Sequence, residues 1–307
     1  MTTEILSDFK VSFIGIGAVR CGTSWMSNIL KQHPEVCFSS RKEVMFFNES
    51  YLGIKPNQNF DHGLDFYRKF WPQEIKSNMK LGEFSPQYLF DEEAPKRIYD
   101  IFPDVKLLLM LRNPVDRAFS HFLYEQIFKE EISKELKFKE AIEKNNYYTE
   151  LGYYFKQIKR YLEYFDKDQI KVFIYEDLDN GLDKIIKELY TSVEVNPKFY
   201  PNNTKAFNES REVKYRWMNS IFKLPGQIKE VRIFKALISE KARSQIKKSK
   251  VYQKTINIKN YLSYLNSDTI EKPVIESETK KYLHALYKDD VQELQEYLNK
   301  DLSFWLN

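Results

Sequence analysis

The chain has 307 residues, of which 42% are hydrophobic and 30% charged, a globular balance that excludes a disordered tail and a disulfide scaffold. Its 48 basic and 44 acidic side chains leave a formal charge of +4, a surplus too small to call for a nucleic-acid partner. Two cysteines and four scattered histidines, against 23 Phe and 21 Tyr, exclude a cysteine-rich zinc module and give no metal-ligand spacing. The opening MTTEILSDFK carries Glu4 and Asp8 and no long apolar stretch, so it does not read as a signal peptide. The densest apolar run, Leu107 to Leu111, is far too short for a membrane span. Together these predict a soluble, cytoplasmic protein without an integral membrane segment.

In chain order, VSFIGIG at 11–17 is β-branched and apolar and ends in glycine, the pattern of a buried parallel strand. A polar, glycine-containing loop follows. SWMSNILKQH then reads as a helix, with Trp25, Ile29 and Leu30 at helical spacing and His33-Pro34 ending it. Residues 80–83 read as a short strand, 94–102 as a helix, and VKLLLML at 105–111 as a second buried strand. Asn113 suits a helix cap, Pro114 the first turn and Asp116 the positive end of a helix expected over 114–128. A helix over 151–166 puts Tyr154, Ile158, Tyr161, Leu162 and Phe165 on one stripe, and IKVFIYEDL at 170–178 reads as a third strand passing into a helix near 182–190. Strands alternating with helices predict a parallel α/β sheet with helices on both faces. The last third shows no clear β-run and reads as helical, best over 280–298. Residues 241–259 hold seven Lys or Arg and no acid. Such a run is ordinarily a solvated face; its sharper reading is a basic lip for an anionic acceptor.

The loop Gly17-Ala-Val-Arg20-Cys21-Gly22-Thr23-Ser24 sits between the first strand and the helix, the context in which a glycine-rich loop cradles an anion on its amides and on the helix N-terminus. The glycines keep the spacing of a nucleotide-phosphate loop, but Thr23 stands where the phosphate lysine belongs, and the cation lies three residues earlier, at Arg20. The second strand ends in Arg112, where a magnesium-holding Asp would be needed by an NTPase. The pattern points to a phosphate-bearing ligand handled without a metal, against the plainer reading of a tight turn.

GAVRCGTSW, RKEVMFFN (41–48), GEFSPQYL (82–89) and RNPVDRAFSHF (112–122) resemble, in order, the motifs of the PAPS-dependent sulfotransferase family, PAPS being 3′-phosphoadenosine 5′-phosphosulfate. The resemblance is to the carbohydrate branch, which includes heparan sulfate enzymes and bacterial relatives, and covers about residues 10–195; DLSFW at 301–305 after a long helix fits it too. It implies one P-loop-like three-layer domain over residues 1–307: a parallel sheet flanked by helices over about 10–195, and a mainly helical closing and acceptor part over about 205–307.

The resemblance also implies roles. Main-chain amides from Arg20 through Cys21, Gly22 and Thr23 to Ser24 would hold the 5′-phosphate, with the Thr23 and Ser24 hydroxyls assisting. Arg20, often Lys in relatives, would stabilise leaving-group charge. Arg112 ends a strand and Ser120 lies about two turns into the next helix, so both can face one pocket; the matching family pair binds the 3′-phosphate. The general base would be Glu43, with Glu83 second; plainer readings are an ion pair of Glu43 with Lys42 or Arg41, and of Arg112 with Asp116. Glu83, Phe84, Tyr154 and Gln157 fall on the acceptor side. Relatives acting on heparan sulfate often carry Lys at the position of Phe84 and His at that of Gln157, which leaves a less anionic or non-sugar acceptor open. Lys214 and Arg216 would close over the donor. Cys21 lies inside the donor loop, so a thiol reagent is expected to inactivate indirectly. The competing reading is a nucleotide kinase-like phosphotransferase, disfavoured by Thr23 and Arg112.

Overall fold

The computed structural model describes residues 9–53, 55–129, 132–133, 135–204, 211–213, 267–269 and 274–307. The elements run β1 (Phe13–Gly17), α1 (Thr23–Gln32), β2 (Val36–Phe38), β3 (Ser50–Tyr51), β4 (Lys55–Pro56), α2 (Gly63–Arg68), β5 (Lys80–Phe84), α3 (Ala94–Ile101), β6 (Lys106–Leu111) and α4 (Pro114–Leu123). They continue with α5 (Phe138–Lys144), α6 (Tyr147–Glu150), α7 (Tyr154–Leu162), β7 (Ile170–Ile174), α8 (Leu178–Ser192), β8 (Arg211–Val213), β9 (Ser267–Thr269) and α9 (Ser277–Leu298). Residues 1–207 and 275–307 form one compact unit and 208–274 a second.

In the first unit five strands pair in the order β2-β5-β1-β6-β7, with every pair parallel. From β1 the chain moves through α1 to β2, and from β5 through α3 to β6, in opposite directions along the sheet. Right-handed crossovers taken in opposite directions put their helices on opposite faces. The packing agrees: α1 lies against α8, while α3 and α9 lie against α7. All five residues of β1, and all of β6 after Lys106, are buried. The expected parallel α/β sheet is therefore present. Where the crossovers diverge, at the carboxyl ends of β1, β5 and β6, a doubly wound sheet opens a ligand crevice.

Register decides which residues reach that crevice. Phe13 pairs with Gly82, Ile14 with Glu83 and Gly15 with Phe84. A Cβ on Gly82 would lie 2.1 Å from the Phe13 ring, and one on Gly15 would lie 2.1 Å from the Phe84 ring. Each phenyl group occupies the space that a glycine leaves on the neighbouring strand, which locks β1 to β5.

Several sequence expectations needed correction. The helix expected over 151–166 is shorter, running only as α7 from Tyr154 to Leu162, and Gly152, where a Cβ would come 2.7 Å from the Tyr287 ring, parts it from the preceding α6. The strand expected over 170–178 ends at Ile174 and passes through a short 3-10 turn over Tyr175–Asp177. The helix expected over 114–128 is α-helical to Leu123 and then widens into a π turn over Tyr124–Lys129. The last third, expected to lack strands, contains the antiparallel pair β8–β9, with Glu212 opposite Asp268. Three-residue polar strands carry no apolar periodicity that a sequence reading could detect. The expected C-terminal helix is present as α9. Lys214, Arg216 and the basic run 241–259 lie outside the described residues.

Candidate active site

Gly22 caps α1 with φ +89°, and a Cβ there would meet the Tyr175 ring at 2.7 Å. Both constraints require glycine. The amides of Thr23 and Ser24 open α1, where N–H groups have no intrahelical acceptor and face an incoming anion. The Cys21 amide donates to Ala18 O at 3.2 Å.

Arg20 takes a left-handed conformation, φ 67°. Its guanidinium lies 4.3 Å over the Tyr124 ring, and Nη2 donates to Ser120 Oγ at 3.4 Å. Its Nε is buried without a hydrogen-bond partner. Burial lowers its pKa, and the nearby Arg112 and Arg117 add to the lowering. Like charges near one another favour a bound anion, whose charge relieves their mutual repulsion. Tyr124 reaches Arg20 from the π turn, a distortion common beside functional sites.

Arg112 follows β6. It lies 5.1 Å over the Tyr175 ring and 3.7 Å from the Asp116 carboxylate. The Asn113 side chain accepts from the Val115 and Asp116 amides and caps α4, as its sequence position predicts. That cap fixes the direction from Arg112 to Ser120. The structure thus gathers Arg20, Arg112 and Ser120 into one group beside the α1 N-terminus. Tyr154, expected on the acceptor side, donates to Arg112 O at 2.9 Å and sits 3.3 Å from Cys21 Sγ, between the end of β6 and the loop after β1. The Cys21 thiol is fully buried, and burial pushes its pKa up to about 11.

The second wall is the segment after β2. Glu43 has φ 59° and Met45 φ 55°. The Glu43 side chain is 37% exposed and 3.6 Å from Lys42 Nζ, so its plainer ion-pair reading is also present; an exposed pair of this kind is worth little and leaves the carboxylate available. Lys42 Nζ donates in turn to Ser24 Oγ at 2.6 Å. Sequence reasoning missed this bridge between the loop after β1 and Glu43, as it missed Tyr124, Tyr175 and Arg117; all four contacts cross between distant segments.

Glu83, at the end of β5, is fully buried. Ser85 Oγ donates to Oε2 at 2.7 Å, and Tyr88 OH and Tyr67 OH donate to Oε1 at 2.9 and 3.2 Å. Burial raises its pKa from 4.5 to about 7, against the lowering by those donors. Aromatic rings wall it in: Tyr67 lies 4.8 Å from both Phe46 and Trp71, and Tyr88 lies 5.6 Å from Phe47. Phe84 is buried over Gly15, and Gln157 Nε2 donates to Glu150 O at 3.1 Å and Tyr153 O at 2.9 Å, so both acceptor-side candidates are occupied in packing.

Comparison with known proteins matches the Sulfotransferase domain family over residues 12–272. The chain belongs to that family. It is 27% identical over 227 residues to the mouse bifunctional heparan sulfate N-deacetylase/N-sulfotransferase 3, covering 68% of this chain and 25% of the mouse protein. It is 32% identical over 166 residues to the human heparan sulfate glucosamine 3-O-sulfotransferase 5, covering 51% of this chain and 45% of the human one. The chain thus spans less than half the length of these curated relatives. Among solved structures, a sulfotransferase from Alicyclobacillus acidocaldarius superposes over 97% of this chain and 100% of its own at a TM-score of 0.67 and 24% identity, which supports the fold. No helix among the described residues is long and apolar enough to cross a membrane.

Proposed function

We propose that this sulfotransferase moves the sulfuryl group of PAPS to a hydroxyl or amine of a carbohydrate acceptor and releases PAP, adenosine 3′,5′-bisphosphate. The observation that carries this reading is the convergence of Arg20, Arg112 and Ser120 beside the α1 N-terminus, with Glu43 joined to the same loop through Lys42. The donor has two anionic ends, and the cluster offers two kinds of anion site: amides of Gly22–Ser24 for the 5′-phosphate, and the Arg112 fork with Ser120 for the 3′-phosphate. Chemistry is an in-line displacement at sulfur. The acceptor oxygen or nitrogen forms the new bond, the bridging S–O bond breaks, its electron pair leaves with the 5′-phosphate of PAP, and Glu43 takes the acceptor proton. Arg20 stabilises the charge that grows on the leaving phosphate.

The heparan sulfate relatives support a sugar acceptor. Both cysteines are buried free thiols, which fits a cytoplasmic setting. The test is transfer from labelled PAPS to desulfated heparan oligosaccharides, with lipids and phenols as the contrasting arms. Label appearing only on phenols or lipids overturns the sugar reading and keeps the reaction class. Calorimetry with PAP and with AMP, in chelator, tests the donor site. Arg112→Ala is expected to weaken PAP and leave AMP nearly unchanged. Equal affinity of the unaltered chain for PAP and AMP overturns the 3′-phosphate assignment.

A further inference from the structure

Glu83 has none of the access that a base requires, yet three side-chain hydroxyls donate to its buried carboxylate. Two of the hydroxyls that donate to it also accept. Ser85 Oγ takes the Met45 amide at 3.1 Å, and Tyr88 OH takes the Phe46 amide at 2.8 Å. The Val44 main chain adds a hydrogen bond to the carboxyl itself. Three consecutive residues after Glu43 are therefore fastened, directly or through one hydroxyl, to a single buried group. The other side of the segment is held too: Met45 O accepts from Asn57 Nδ2 at 2.7 Å and from Asn59 Nδ2 at 2.8 Å. Glu43 and Met45 are both left-handed, a conformation that side chains other than glycine adopt only when surrounding contacts enforce it.

We propose that Glu83 is a positioning residue: its carboxylate orients the Ser85 and Tyr88 hydroxyls so that they hold residues 44–46 and thereby set Glu43 against the donor loop. The polarity of the chain of bonds explains why a carboxylate is needed. Once ionised, above about pH 7 where burial places its pKa, the carboxylate only accepts, so both hydroxyls point their protons at it and turn lone pairs toward the amides. An amide in its place turns an N–H toward one of those hydroxyls. That hydroxyl loses its acceptor, and its lone pairs are then shared between the new donor and the loop.

This inference rests on Glu43 being the base, so its test carries one arm that needs no substrate. Glu83→Gln, Ser85→Ala and Tyr88→Phe are compared with the unaltered chain by hydrogen exchange at residues 44–46, by PAP calorimetry, and by transfer from labelled PAPS to a desulfated heparan oligosaccharide. The expected result is exchange about tenfold faster or more at 44–46 with β1 and β6 unchanged. PAP affinity should stay within about twofold. For Glu83→Gln kcat should fall about tenfold or more at nearly constant acceptor KM, as misplacement of a reacting group demands, and Ser85→Ala and Tyr88→Phe should lower kcat in the same sense. If Glu83→Gln does not fold, the other two variants carry the comparison. Loss of all transfer in Glu83→Gln with normal rates in Ser85→Ala and Tyr88→Phe would make Glu83 the base and overturn the proposal; unchanged exchange at 44–46 would overturn it also. An unaltered chain that transfers nothing from PAPS overturns the functional reading instead, while the exchange arm still decides whether Glu83 holds the loop.

Discussion

Replacing Glu83 by Gln isolates one buried ionisation whose effect on stability can be worked from the structure. Burial raises the folded carboxyl from 4.5 to about 7, so between those values the folded chain keeps a proton that the unfolded chain has released. Rising pH then favours unfolding through that window; below it both states are protonated, above it both are ionised, and the contribution is flat. At about 1.4 kcal/mol per pH unit, the unaltered chain should lose on the order of 3 kcal/mol from this group between about pH 4 and about pH 8. Gln has no proton to release. Other shifted groups, such as Asp91, Asp290 and His284, are present in both chains and cancel. Urea unfolding of the two chains across this range gives the difference in stability, which should shift by about 3 kcal/mol against the unaltered chain as pH rises. A difference constant to within about 1 kcal/mol would show that the folded carboxyl titrates near its ordinary value and that burial does not raise it. A shift of the opposite sign would show that the four hydrogen bonds outweigh burial.

Glu43→Gln should leave PAP affinity within about twofold and lower kcat by about 100-fold or more, since general-base catalysis contributes on that scale; near-normal turnover would remove Glu43 from the base role. Gly82→Ala should destabilise the chain by about 1–3 kcal/mol, the cost of overpacking, because its Cβ would fall 2.1 Å from the Phe13 ring; adding Phe13→Leu should recover part of the loss, and chemical denaturation of the single and double variants checks both. Cys21, with its thiol pushed up to about 11, should hold roughly 100-fold less thiolate at pH 8 than an ordinary cysteine. An aromatic disulfide reagent should then modify it slowly in the folded chain and quickly in denaturant; rapid native modification with loss of PAP binding would show that the loop opens.

What was legible in the sequence was what neighbouring residues decide. The apolar run ending at Gly17, the Asn113-Pro114 cap and the Gly22 turn are each set within a few positions, and β1, the α4 start and the loop between β1 and α1 follow from them, whereas the three-residue β2 of the central sheet was not read. The partners of Glu83 were not legible. They come from Tyr67 on α2, from Ser85 and Tyr88 beyond β5, and from the main chain after Glu43, and only the folded sheet brings these together. The π turn that carries Tyr124 beneath Arg20 was hidden for a related reason: its residues keep helical spacing, and the widening shows only in the backbone.

The register of β5 also bears on the acceptor. Alternation along the strand sends Gly82 and Phe84 to one face and Leu81 and Glu83 to the other. Phe84 is thereby committed to Gly15 and Glu83 to its hydroxyl partners. Gln157 is committed to two main-chain carbonyls and Tyr154 to Arg112 O. All four side chains placed on the acceptor side by sequence are thus used internally, and none offers a free cation. Exposed charge around Glu43 comes instead from Arg41 and Lys42. Lys42 is already shared between Ser24 and Glu43. Among the described residues, then, the side chains placed on the acceptor side by sequence are spent on the interior, and the aromatic rings around Glu83 are buried with it and present no face to an acceptor.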